Sequence, residues 1–140
     1  MKLKVSALAV LFLLLSLGLC SCSKRPELMD GHYKAKSETV DPRGGYGEVV
    51  LDIEDGKIKN VKYQTFMKDG HVKDESYGKN CSEAEYQIAQ LCVKQCTAYA
   101  EELVKKQELA QVDCISGATW NYELFHSAVE KILTEAEPES

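Results

Sequence analysis

From Gly31 onward the apolar positions change their period along the chain. Tyr33 and Ala35 alternate with Lys34 and Lys36 over Gly31–Ser37, the two-residue rhythm of an edge or half-buried strand. Asp41-Pro42-Arg43-Gly44-Gly45 then breaks the run in a turn. Alternation resumes over Tyr46–Ile53, with Val49, Leu51 and Ile53 on one face. Asp55-Gly56 is a hairpin signal, and Ile58–Phe66 returns as a third strand. Its alternation slips at Asn60, and a bulge there restores the inward face. Residues 68–79 are polar and contain Asp69-Gly70, which predicts a loop or a second, weak hairpin. The period then lengthens. Ser82 and Glu85 form a capping box, and Ile88, Cys92, Cys96, Tyr99 and Leu103 mark a helical stripe widened by Ala84, Leu91 and Ala100. That helix runs out near Gln107–Gln111. A second begins near Trp120, with Leu124, Phe125, Ala128, Val129, Ile132 and Leu133 as its apolar face. The pattern predicts an α+β fold, a small antiparallel sheet with two helices packed on it.

The chain ends read differently. Lys2 and Lys4 precede an almost wholly apolar run, Val5–Leu19, too short for a comfortable membrane span and flanked like a secretory signal. Leu19-Cys20-Ser21-Cys22 follows. A lipoprotein signal takes a branched apolar residue three before the modified cysteine and a small one directly before it, which fits Cys22 and not Cys20. The expected organisation is a lipoprotein signal peptide at 1–21, a tether at 22–30, one folded domain at 31–134 and an acidic tail at 135–140. The tether segment Ser23–Asp30 spans at most about 28 Å when fully extended, so the domain works close to the membrane. Removing residues 1–21 takes away two lysines and no acid, which moves the formal charge from −5 to −7. An acidic domain without a basic, aromatic patch argues against DNA or RNA as a partner.

Candidate chemistry concentrates in Asp113-Cys114-Ile115-Ser116-Gly117-Ala118-Thr119, between the two helical patterns. Gly117 reaches backbone conformations closed to other residues. A helix start just beyond Thr119 exposes unpaired N–H groups and a positive dipole end that favour a phosphate. By spacing alone, Thr119 could equally be an ordinary helix cap.

The heptapeptide Asp113-x-x-Ser116-Gly117-Ala118-Thr119 resembles the flavinylation motif of FMN-binding domains, found in flavoprotein subunits of the Na⁺-pumping quinone reductase and Rnf-type complexes. The likeness runs from about Gly31 to Leu133. Gly45-Tyr46-Gly47-Glu48-Val49, Asp55-Gly56-Lys57-Ile58 and Trp120-Asn121-Tyr122-Glu123-Leu124-Phe125 are similar to small, single-domain FMN-binding lipoproteins. The resemblance implies an FMN-binding domain over 31–134, with FMN joined through a phosphodiester to Thr119 by an FAD:protein FMN transferase. It implies cofactor contacts from Asp113, Ser116, Gly117, Ala118 and Trp120. It further implies a lipid-anchored electron carrier on the extracytoplasmic face of the cell membrane, a redox carrier rather than a stand-alone enzyme, served by membrane redox partners such as a quinone-linked dehydrogenase.

A flavin site needs a phosphate anchor, an apolar or aromatic wall and polar groups at the ring edge. Trp120, Tyr122 and Tyr46 are candidates for the wall, and ordinary packing explains Trp120 and Tyr46 equally well. Asp113 has two open roles: accepting N–H bonds from its own turn, or serving the transferase. Cys81, Cys92, Cys96 and Cys114 are candidate exported disulfide partners, with Cys114 cross-linked to a helix cysteine; the other reading of Cys92 and Cys96 is small core residues. No CxxC or CxxH spacing supports a metal or Fe–S site. His32, His71 and His126 do not cluster. A noncovalent FMN sensor or scavenger is the alternative function, with a thiol–disulfide protein behind it.

Overall fold

The computed structural model describes residues 27–138. The apolar leader, Cys20, Cys22 and the last two residues lie outside them, and with them the signal peptide and lipidation expectations. Three strands, β1 (Gly31–Lys36), β2 (Tyr46–Glu54) and β3 (Lys57–Phe66), form one antiparallel sheet in the order β1-β2-β3. Two helices, α1 (Glu83–Lys106) and α2 (Thr119–Ala136), pack on it, joined by a short 3-10 turn at Leu109–Gln111. This is the expected α+β architecture.

Turn chemistry sets the sheet. Asp55 and Gly56 both take positive φ, 52° and 65°, as a two-residue hairpin whose twist matches its strands requires. The register between β2 and β3 slips just after Asp52, which pairs with Asn60, while Ile53 pairs with Ile58. Lys59 is the extra residue, so the bulge sits beside Asn60 and keeps Ile58, Tyr63 and Thr65 on the buried face. Beyond β3, Phe66 bridges Val72 around a tight turn, the weak hairpin of the polar segment.

The inner face of β2, with Val49, Leu51 and Ile53, meets Tyr99 and Leu103 of α1 and Leu124, Phe125, Val129 and Ile132 of α2 in one core. Gly47 belongs to this face because α2 crosses it closely: an added Cβ would stand 3.1 Å from the Leu124 Cβ. The folded body exceeds its predicted bounds at both ends. Leu28 packs on the core, the Met29 N–H donates to the Ala136 carbonyl at 2.8 Å, and Ala136 is fully buried.

α1 departs from its predicted burial. Its capping box forms as expected, and Cys96, Tyr99, Ala100 and Leu103 are buried. Ile88 and Leu91 continue the stripe toward the helix start yet are 64% and 54% exposed. The cause is geometric. Cys92 meets Asn121, near the start of α2, and Tyr99, two turns further along α1, meets Tyr122 and Phe125, within about one turn further along α2. The opening turns of α1 therefore project past the start of α2, where no helix covers them.

Candidate functional site

The motif forms the turn that enters α2. The Ala118 N–H donates to the Ile115 carbonyl at 2.9 Å, closing a four-residue turn with Gly117 at φ 80°. Nothing lies within 4 Å of a Cβ added at Gly117, so glycine is required there by backbone conformation and not by crowding. Ala118 is buried, while Asp113, Cys114, Ser116, Gly117 and Thr119 are exposed.

Thr119 is the first helical residue and not the cap. Ala118 holds the cap position and offers no side-chain acceptor. The Tyr122 N–H already reaches the Ala118 carbonyl, so the N–H groups of Thr119, Trp120 and Asn121 head an uncapped helix. Among the described residues the Thr119, Ser116 and Asp113 side chains make no hydrogen bond. The capping role open to Thr119 and the turn-bonding role open to Asp113 are thus not taken up.

Three contacts fix this exposed turn to the body. The Tyr99 hydroxyl accepts the Ile115 N–H at 3.0 Å, the Asn121 Nδ2 donates to the Cys92 carbonyl at 2.7 Å, and the Tyr63 hydroxyl donates to the Asn121 carbonyl at 2.8 Å. Burial pushes the Tyr99 hydroxyl up to about 12 and raises Tyr63 as well, so both stay protonated. Tyr99, Asn121 and Tyr63 were not identified as site residues from the sequence. Asn121 carried a signal: it is a polar residue on a helix that turns out to be 8% exposed.

Gln95 adds a further feature. It lies between Cys92 and Tyr99 on the α1 stripe whose two neighbours hold the motif turn. It is 4% exposed, and its Oε1 has no hydrogen-bond partner. A buried acceptor left without a donor is costly. Ile88 and Leu91 on the opening turns of α1 and Trp120 at the start of α2 are exposed apolar residues, the last 51% exposed. Trp120 is therefore not packed into the core. Tyr122 is, against Tyr99 at a centroid distance of 5.9 Å. Tyr46 points to the outer face of the sheet, where it stacks on Phe66 at 5.1 Å under Lys36, and leaves the set of candidate wall residues.

None of the main cavities is lined by a residue of the motif. A cleft of about 680 Å³ between the opening turns of α1 and the 76–81 loop is lined by Arg43, Met67, Tyr77, Ile88, Ala89 and Cys92. It includes Ile88 and Cys92 of the α1 stripe, and no motif residue lines it.

The four cysteines of the described body are free thiols, and the expected Cys114 cross-link is not formed. The Cys96 sulfur lies 3.9 Å from the Thr65 hydroxyl on β3, and burial pushes its thiol up to about 11, which makes it a poor nucleophile. Cys114 is exposed, with its sulfur toward the Ile115 carbonyl. No group of three or more His, Cys, Asp or Glu among the described residues could hold a metal ion. No helix there is long and apolar enough to cross a membrane.

No family model matches the chain, and no curated protein matches it in sequence. Two solved structures are similar to it, both structural genomics targets. A crystal structure of a protein from Clostridium perfringens is 25% identical, with a TM-score of 0.63, over 78% of this chain and 88% of that one. A solution NMR structure of a protein from Clostridium thermocellum is 25% identical, with a TM-score of 0.50, over 79% of this chain and 94% of that one. Both likenesses carry the fold through nearly the whole length of the other protein.

Proposed function

We propose that the protein is an extracytoplasmic flavoprotein, anchored through Cys22, that carries electrons on FMN linked to Thr119. One observation carries the reading. Thr119 stands exposed at the first position of an uncapped helix, its hydroxyl free of any structural duty, in a turn built by Gly117. Trp120, next to Thr119 and 51% exposed, offers an apolar surface for a ligand at that turn.

The division of labour follows from the residues. Thr119 is the residue that would hold the FMN: its Oγ1 would form the P–O bond to the FMN-side phosphorus of FAD as the pyrophosphate bond breaks, with AMP and the hydroxyl proton released on the transferase. The uncapped N–H groups and positive dipole end of α2 would favour the negative charge of a phosphodiester at Thr119. Gly117 and buried Ala118 set the turn, Ser116 and Asp113 stay exposed to the transferase, and Trp120 offers an apolar wall. Bound there, FMN supplies one- and two-electron chemistry, and the fold tunes its exposure and surrounding charge. The noncovalent sensor or scavenger remains the rival reading.

Intact mass and in-gel fluorescence decide between them. After co-expression with a competent transferase, the denatured chain should keep one FMN, mapped to the Thr119 peptide. Thr119→Ala should lose it, with stability changed by well under the ~1 kcal/mol of a lost cap, because Thr119 is not the cap. FMN mapped to Ser116 removes Thr119 as the acceptor, and no FMN on the denatured wild-type chain removes the covalent reading.

A further inference from the structure

The cleft between the opening turns of α1 and the 76–81 loop has walls that are fixed within the fold. Gly78, at φ 86°, brings the loop so close to α1 that an added Cβ would stand 2.8 Å from the Ala89 Cβ. The Gln90 amide donates to the Tyr77 carbonyl at 2.9 Å and to the Asp74 carbonyl at 3.1 Å, and the Tyr86 hydroxyl donates to the Glu75 carbonyl at 2.9 Å. The Lys73 ammonium pairs with Asp41 at 2.6 Å and lies 5.4 Å from the Tyr77 ring centre. Asp41 also accepts the Arg43 N–H at 2.9 Å, so this pair ties the 41–45 turn to the loop and sets Arg43 among the lining residues.

The lining combines an apolar body with unpaired positive charge. Met67, Tyr77, Ile88 and Ala89 supply the apolar part. The charged residues are Arg43, Lys79 and Glu85. Glu85 is already engaged, since its carboxylate accepts the Ser82 N–H at 3.0 Å and the Ser82 hydroxyl at 2.7 Å in the α1 cap. Arg43 and Lys79 make no ion pair among the described residues. Two free cations thus face one occupied acid, in a chain whose formal charge is −5. A neighbouring cavity of about 520 Å³ shares Arg43, Met67 and Tyr77 and leans the same way: its Lys73 is paired with Asp41, its Asp69 accepts the His71 N–H, and its Lys68 makes no ion pair among the described residues.

We infer that this cleft is a ligand site of its own, for a small aromatic anion: a flat ring body carrying one sulfonate, carboxylate or phosphate group. A volume of about 680 Å³ suits a small molecule, and mostly apolar walls with a few placed charges are the usual make-up of such sites. The ring covers Met67, Tyr77 and Ile88, which accounts for an apolar side chain left 64% exposed. The acid group takes Arg43, whose planar fork offers two parallel bonds, and Lys79 as a point charge. The site does not depend on a flavin at Thr119. It does come near the motif turn, because Cys92 lines the cleft and its carbonyl accepts the Asn121 amide at 2.7 Å.

Two cysteines report on the cleft and a third is their control. Cys81 and Cys92 line it, whereas exposed Cys114 stands on the motif turn. The test uses the full-length chain expressed without a transferase, so that Thr119 carries no flavin. The probe is naphthalene-2-sulfonate, with the uncharged naphthalene-2-sulfonamide as its twin, and the readout is iodoacetamide labelling followed by peptide mapping. The sulfonate should slow labelling of Cys81 and Cys92 severalfold and saturably, and leave Cys114 unchanged. Arg43→Gln and Lys79→Gln, both at exposed positions, should each raise the half-protecting sulfonate concentration severalfold and leave that of the sulfonamide unchanged. Ile88→Ser should weaken both probes. Equal protection by the two probes overturns the anion site. No protection, or protection of Cys114 at the same concentration, overturns the cleft as a ligand site. A last arm repeats the labelling on the FMN-loaded chain, where the sulfonate should still protect. If FMN alone protects Cys81 and Cys92 and the sulfonate adds nothing, the cleft holds the flavin's own ring and the separate site is overturned. The covalent reading is judged apart from this, by its mass test.

Discussion

Gln95→Met replaces a buried amide with a thioether of the same length and nearly the same helix propensity. The exchange removes the unpartnered Oε1 while leaving the volume between Cys92 and Tyr99 filled. A buried acceptor without a donor costs about 1–3 kcal/mol, and its apolar replacement recovers most of that. Side-chain entropies of Gln and Met are comparable, so they largely cancel. The apo variant should therefore be more stable than wild type by about 1–3 kcal/mol, or about 4–12 °C in Tm for a domain of this size. Circular dichroism at 222 nm during heating, paired with urea unfolding at constant m, measures the change. The flavin-loaded protein gives the decisive comparison. If the amide oxygen meets a donor on the ligand, the gain shrinks by about 1 kcal/mol, the worth of one hydrogen bond. An apo Tm that stays put or falls would refute the reasoning, since it would mean that Oε1 is already satisfied. An equal gain in both forms would keep the orphan but remove Gln95 from the ligand site.

Two further predictions rest on other groups. Burial alone would raise the Asp41 carboxyl, but its 2.6 Å bond to Lys73 and the N–H groups of Gly45 and Arg43 together hold it below the usual carboxylate range. A lowered folded-state pKa gives stability that is fully present above about pH 4 and lost as pH falls below it, so urea midpoints should drop there and Asp41→Asn should flatten the drop. At pH 7, Asp41→Ala leaves Lys73, 10% exposed, without its partner and should cost about 3 kcal/mol by urea unfolding; a cost under 1 kcal/mol would mean that solvent already screens the pair. Alkylation at pH 8 followed by peptide mapping should modify exposed Cys81 and Cys114 first and buried Cys96 last, and fast labelling of Cys96 would contradict its packing against β3.

The sheet and both helices were legible in the sequence because each carried two agreeing signals. Asp55-Gly56 supplied the turn where alternation paused, and the slip at Asn60 announced the bulge that the register contains next to it. Ser82 and Glu85 marked the start of α1, and both bonds of the box are made. Local chemistry of this kind needs no knowledge of distant contacts. The motif was legible as a motif, but its support was not. Tyr99, Asn121 and Tyr63 hold the turn through backbone atoms of residues far away in the chain, and side-chain patterns do not encode which carbonyl or N–H they will meet.

The helical stripe shows where periodicity misleads. Ile88, Cys92, Cys96, Tyr99 and Leu103 repeat with one period, and sequence treats them as one buried face. Only the lower part has a helix opposite it. Burying the Ile88 and Leu91 side chains would be worth about 1.5–3 kcal/mol each, and the isolated domain forgoes most of that gain by leaving them more than half exposed. Helix length alone does not demand them, since Ala or Glu would propagate α1 equally well. Their apolar character is therefore unexplained by the fold of the single chain, and the same holds for Trp120 at the start of α2. All three stand next to the one helix start whose first residue has an exposed hydroxyl without a structural bond. A surface that costs solubility and adds little to the core is accounted for by what it meets, and on the function proposed above exposed Trp120 and Thr119 would be accounted for together.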